Sequence, residues 1–374
     1  MRLLLTLGFV TWFTIVGFGQ NKWKKEKIEI PYPICYASDE IHSGYVGLPP
    51  EYFQRLKSGS MRAATIEVTY VGFSAEAQRA FQFAVDIWKN LVYSPLPIRI
   101  KANWKSLEKG VLGSCGPAGF YKNFDATQKW DTYYPIALVE KMTGQEVNSA
   151  DQFELIADFN KDFANWYLGT DGRTPSTQYD FVSVVLHELT HGLGFTGIAF
   201  SEEGKGGYGY GTDNLPAIFD QHIINKNGQN LVNKTLFPNP SVALNQGYTS
   251  GWLNFYTRLT QNRLPRLYAP VTWDEGSSIY HLDDATYPAG TTNSLMTPFT
   301  GTGEAIHNPG PDALAIMYEM GWKSISIRHN PLKDLETALT PVDFNAVIDS
   351  DNELDFSRLY LVYSTNRFST RDSV

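Results

Sequence analysis

Between residues 64 and 102 the hydrophobic positions change period twice. Ile66, Val68 and Tyr70 alternate with Thr65, Glu67 and Thr69, the two-residue period of a half-buried strand. Ser74 then stands where a helix N-cap is expected, and Ala77, Phe81, Ala84, Trp88 and Leu91 recur at helical spacing. Pro95 and Pro97 close that helix. Ile98, Ile100 and Ala102 return to the strand period. From 105 to 175 the pattern is mixed, with one strand expected over Phe153 to Asp158. From Asp180 to His191 the apolar residues Phe181, Val182, Val184, Val185, Leu186 and Leu189 cover nearly the whole helix circumference, so this helix belongs in the interior. Residues 198 to 280 read as a long insertion made largely of loops, including a Gly/Tyr-rich stretch from Gly206 to Gly211. A last helix is expected over Pro311 to Met320, with Pro311 in its first turn and Gly321 at its stop. After Trp322 only strand patterns remain, at Pro341–Ile348 and Ser357–Tyr363. The succession is that of an α+β fold followed by a short β-rich segment, 325–374, which is too short for a complete immunoglobulin-like sandwich.

The N-terminus changes where this fold is expected to reside. Arg2, the apolar run Leu3 to Phe18 and the small residues around Gly17-Phe18-Gly19 read as a signal peptide over 1–19. The run is shorter than a bilayer span, and no later stretch replaces it. A secreted chain with no membrane span after cleavage is therefore expected. Residues 20–60 are irregular and read as a propeptide or an arm lying on the main domain, 61–324. Two cysteines, Cys35 and Cys115, would most simply form one disulfide in that compartment. A sharper alternative makes Cys35 a propeptide thiolate that caps a metal. The net charge of -8 argues against a nucleic-acid partner, which needs clustered cations to displace counterions.

The chemistry concentrates in His187-Glu188-Leu189-Thr190-His191. Histidines at i and i+4 lie one turn apart on one helix face, so both imidazoles can reach one metal ion. Glu188 follows the first of them and is placed to act as general base on a water that the metal activates. An apolar helix would bear a cost for burying these groups without a metal. Gly194, three residues past His191, can take the left-handed conformation that ends a helix and turns the chain.

These residues resemble the metzincin zinc peptidases, whose pattern is H-E-x-x-H-x-x-G-x-x-H followed by a Met-turn. His187, Glu188, His191 and Gly194 match, and Gly197 stands where the last His would be. The leishmanolysin-like branch separates that His from the Gly by an insertion. His281-Leu282-Asp283-Asp284, followed by Asn293-Ser294-Leu295-Met296-Thr297-Pro298, is similar to that branch's third ligand and Leu-Met-x-Pro turn. The resemblance covers about residues 64 to 324. It implies a twisted mixed sheet, a buried active-site helix, and one zinc held by His187, His191 and His281. It also implies Met296 as a hydrophobic floor, and hydrolysis of protein or peptide substrates. Pro298 replaces the Tyr that helps bind the oxyanion in some relatives, so the metal would supply most of that stabilisation. Asp171, Asp213, Asp283 and Asp284 are candidate oxygen ligands for a structural calcium, without the dense alternation of acids that would support one. Two other readings stand beside this one. A thermolysin-like peptidase would take Glu202 or Glu203 as third ligand, and an inactive zinc-bearing adhesion module would need no base.

Overall fold

The computed structural model describes residues 32–53, 63–209, 213–260 and 263–323, together with short backbone strands within 325–373. The expected signal peptide and residues 20–31 and 54–60 lie outside the described residues, as do most of the two expected C-terminal strands. The central sheet has six strands, which we number in chain order with three outlying ones. They are β1 (Ile34–Val46), β2 (Ile66–Val71), β3 (Ile98–Lys105), β4 (Val111–Pro117), β5 (Leu155–Asn160), β6 (Ile223–Asn225), β7 (Leu253–Phe255), β8 (Arg266–Leu267) and β9 (Phe299–Ile306). The sheet order is β9-β1-β4-β5-β3-β2. β2, β3 and β5 run parallel, β4 runs antiparallel to β5 and to β1, and β1 runs parallel to β9. This is a mixed α+β architecture with a central mixed sheet and few helices.

The helices follow from their sequences. α1 (Ala75–Leu91) starts at Ser74, whose side chain accepts from Ala77 N, and the five residues at helical spacing are all buried. α2 (Ile136–Thr143) falls in the stretch whose pattern was mixed. α3 (Phe181–Gly192) is capped by the Asp180 side chain, which accepts from Ser183 N at 2.8 Å. Every residue of α3 is buried, because β4 and β5 cover one side and α1 the other. Trp88 Nε1 donates to Leu186 O at 3.2 Å and ties α1 to it. α4 (Val242–Tyr248) lies in the insertion, and α5 (Gly310–Met317) ends three residues before Met320, its expected last residue. The chain there loosens into a π-turn over Tyr318–Trp322, in which Gly321 takes φ 124°. Among the described residues no helix is long and apolar enough to cross a membrane.

Two expectations need correction. Residues 34–46 are not irregular: Ile34 to Tyr36 pair with β4 and Tyr36 to Val46 with β9, which makes them a strand inside the sheet. Their pairing with β9 shifts register twice, which erases the alternation a sequence reading depends on. Cys35 and Cys115 are both buried free thiols and do not form the expected disulfide. Cys35 pairs across β1 and β4 with Gly113, so Cys115 lies diagonally along the neighbouring strand. Cys35 Sγ meets Thr300 Oγ1 at 3.3 Å.

α2 carries a buried acid. Glu140 on α2 is 1% exposed. Burial first, then the charge of Glu154, raises its pKa from 4.5 to about 8. The folded state therefore holds this proton more tightly than the unfolded chain. The resulting stability is full below the ordinary glutamate value of 4.5 and is lost as pH rises through about 8. Glu140→Gln keeps an acceptor for Val147 N and should flatten that decline, as read from urea midpoints across the same pH range. Parallel slopes for the variant and the parent protein would contradict it.

Candidate metal centre

His187 and His191 project from one face of α3, with their Nε2 atoms 3.0 Å apart. His281 arrives from the far end of the insertion, and its Nε2 lies 3.2 Å from each of the other two. Each ring is fixed from behind. The Nδ1 atoms of His187, His191 and His281 face the carbonyl oxygens of Leu295 at 2.7 Å, Phe195 at 2.7 Å and Ser277 at 2.9 Å. A carbonyl only accepts, so Nδ1 carries the proton and Nε2 presents its lone pair. Burial lowers the His187 pKa to about 4 and those of His191 and His281 well below the usual histidine value, so the rings are neutral. Three lone pairs facing one another at this distance repel unless a cation lies among them. The group could hold a metal ion.

Glu188 completes the centre. Its carboxylate is fully buried, and neither oxygen has a hydrogen-bonding partner among the described residues. Burial pushes its pKa well up, while the backbone amides of Cys35 and Cys115 pull the other way without closing a hydrogen bond. A buried carboxylate left this way is a cost to the fold unless water or a cation joins it. Donor atoms of Cys35, His187 and Glu188 lie within 4.8 Å of one another. Burial and the Glu188 charge drive the Cys35 thiol pKa up.

The chain beyond α3 explains how the third imidazole arrives. Gly194 has φ 120°, and its N–H donates to His191 O at 2.9 Å. The turn it makes brings Phe195 O back onto His191. Leu282 N donates to Met296 O at 2.7 Å, so the turn that supplies Leu295 O also holds the His281 segment. Met296 is fully buried in that turn. Gly197, where the short pattern would place a histidine, has no room for any side chain, because a Cβ would collide with the Asp220 carboxylate and the Tyr280 hydroxyl. Asp220 accepts from Ala217 N at 2.9 Å, Ile198 N at 3.1 Å and Tyr280 Oη at 2.7 Å. Burial raises its pKa to about 6. Asp220 and Tyr280 thus pin both ends of the insertion beside His281. Sequence reading passed over both. The available signal was a carboxylate standing directly between Phe219 and a polar turn.

The other described histidines, and the acids considered as ligands, lie elsewhere. His222 Nδ1 donates to Tyr256 O at 3.0 Å, and the ring stacks on Phe255 with ring centroids 5.0 Å apart. His307 Nε2 lies 2.9 Å from Asp180 Oδ2 at the start of α3. His42 faces Glu40 on β1. Glu202 and Glu203 are exposed in the hairpin 199–208 and do not join the histidines. Asp171 accepts from Tyr167 Oη, Asp213 pairs with Lys122, and Asp283 accepts from Thr286. These aspartates, with Asp284, form no shared cluster among the described residues.

The centre is closed. His187, Glu188, His191 and His281 are each at most 1% exposed. β1 lies between β4 and β9 and carries Cys35 against them.

Fold and site together define an α+β protein with a buried three-histidine group able to take a metal ion. A family model described as SPBPB7E8-like matches residues 66–236, from β2 through α3 and into the insertion. No curated protein and no solved structure matches the chain.

Proposed function

We propose that this chain is an exported zinc-dependent endopeptidase of the metzincin type, in its leishmanolysin-like branch, and that the structure is its closed form. The observation that carries the reading is the convergence of three neutral imidazoles beside a buried carboxylate with no protein partner. Three nitrogen donors with one coordination position left open suit zinc in a catalytic role. When bound, zinc supplies Lewis acidity at a carbonyl and makes water nucleophilic near neutral pH. His187, His191 and His281 would hold it, each oriented by the carbonyl behind it. Glu188 would take the proton from the attacking water and pass it to the leaving amine. Glu188 directly follows His187 on α3, so its carboxylate is held beside the position where that water would bind. The residues 1–19 support export.

A peptide cannot reach these groups while β1 fills the space beside β4. We infer that β1 is displaced or removed on activation and that Cys35 contributes its thiolate to the metal in the closed form. A second reading, a metal-bearing binding module without activity, is favoured by the same closure. A casein assay separates the two. Protein freed of residues 1–46 should degrade casein, lose that activity to a chelator and regain it with zinc. Cys35→Ala in the intact chain should raise basal activity several-fold by enlarging the open population. A chelator-insensitive or wholly absent activity in folded, zinc-loaded material would favour the binding module.

A further inference from the structure

The insertion carries a second feature that the proposed chemistry does not use. From Gln221 through Trp273 the chain has no Asp or Glu, yet it holds Lys226, Lys234, Arg258, Arg263 and Arg266, in a protein of net charge -8. β6, β7 and β8 form a three-stranded antiparallel sheet within this stretch. Ile224, Asn254 and Arg266 stand opposite one another across it, so they share a face. Trp252 and Tyr256 lie two residues to either side of Asn254 and point the same way, 51% and 44% exposed. Leu253 and Phe255 fill the other face and are buried.

Arg266 lies beneath Trp252, its guanidinium 3.4 Å from the ring centroid, and its Nε and Nη1 have no partner. Next to this face is a cleft of about 370 Å³, lined in part by Lys129, His222, Tyr256 and Arg258. Its one carboxylate, Glu319, is already engaged by Thr257 Oγ1 at 2.8 Å and Arg258 N at 3.1 Å. Neither Lys129 nor Arg258 forms an ion pair among the described residues. Burial lowers the Lys129 pKa, and the Glu319 charge across the cleft opposes that shift. Trp130, directly after Lys129, and Leu259, directly after Arg258, are both exposed.

We propose that this face and cleft form a docking surface for an anionic lipid bilayer. Arg263 is paired with Asp312 and Arg266 is buried beneath Trp252, so Lys129 and Arg258 are the cations that select an anionic partner. The exposed Trp, Tyr and Leu select one that also offers apolar depth, which a headgroup layer does. Lys129 and Arg258 would meet lipid phosphates, while Trp252, Tyr256 and Leu259 enter the interface beside them. The surface lies on the insertion and its neighbours and does not depend on the metal centre.

The test is sedimentation of the full chain with vesicles of phosphatidylcholine alone and of phosphatidylcholine containing phosphatidylglycerol. Binding is expected only to the second. Each charge removed should weaken it about fivefold, so Lys129→Gln with Arg258→Gln should cost about 25-fold. Tyr256→Ser with Leu259→Ser should also weaken it, with thermal melting checking that each variant is folded. Equal binding to both vesicles, binding to neither, or binding indifferent to these substitutions would overturn the proposal. Full displacement by inorganic phosphate at matched ionic strength would show a small-anion site instead. Retention by heparin without retention by vesicles would show a soluble polyanion as partner.

Discussion

Glu188→Ala, in protein freed of β1, is expected to fold, bind zinc as the parent protein does, and turn over substrate at least ~100-fold more slowly. Folding should survive because the carboxyl group has no hydrogen-bonding partner to abandon among the described residues. Removing a buried polar group without a partner relieves a cost and does not break a network. Metal content should survive because the three imidazoles are oriented by Leu295, Phe195 and Ser277, and none of them by Glu188. The rate should fall because, among the described residues, no other carboxylate stands with the donor groups at the histidines. Metal analysis and peptide cleavage on the same sample decide the matter. Near-normal turnover would remove Glu188 from the role of base. Lost zinc would make it a ligand.

His281→Ala is expected to weaken zinc binding more than ~100-fold, beyond the scale seen when only a ligand's outer partner is removed. Two imidazoles from one helix leave the ion without its third donor. His222→Ala should keep full affinity, since that ring stacks on Phe255 away from the centre. His307→Gln should keep it as well, although it loosens the Asp180 cap of α3 and will lower stability. Competition with a chromogenic chelator measures all three. If His281→Ala held zinc as tightly as the parent while His307→Gln did not, the donor set would be wrong.

Local order explains which parts were legible in the sequence. β2, α1, β3 and α3 each carry their own period and their own cap or stop, and they form where that pattern puts them. β1, β4, α2 and β9 do not. β1 is a strand because β4 and β9 supply backbone partners on both sides, and hydrogen bonds to the main chain leave little trace in side-chain pattern. The cysteines show the same limit. Two of them in an expected secreted chain suggest a bridge, but strand register decides whether the thiols meet.

The sequence by itself determined the helix that carries His187, Glu188 and His191, because a spacing of four is a local property of one α-helix. It also determined the turn at Gly194, since a backbone with φ 120° favours glycine. Only the tertiary structure decided that His281 joins them, across an insertion whose ends are pinned by Asp220 and Tyr280. Only the tertiary structure placed Cys35 at the centre and sealed it. Both depend on contacts between residues far apart along the chain, and no local period encodes where two such segments meet.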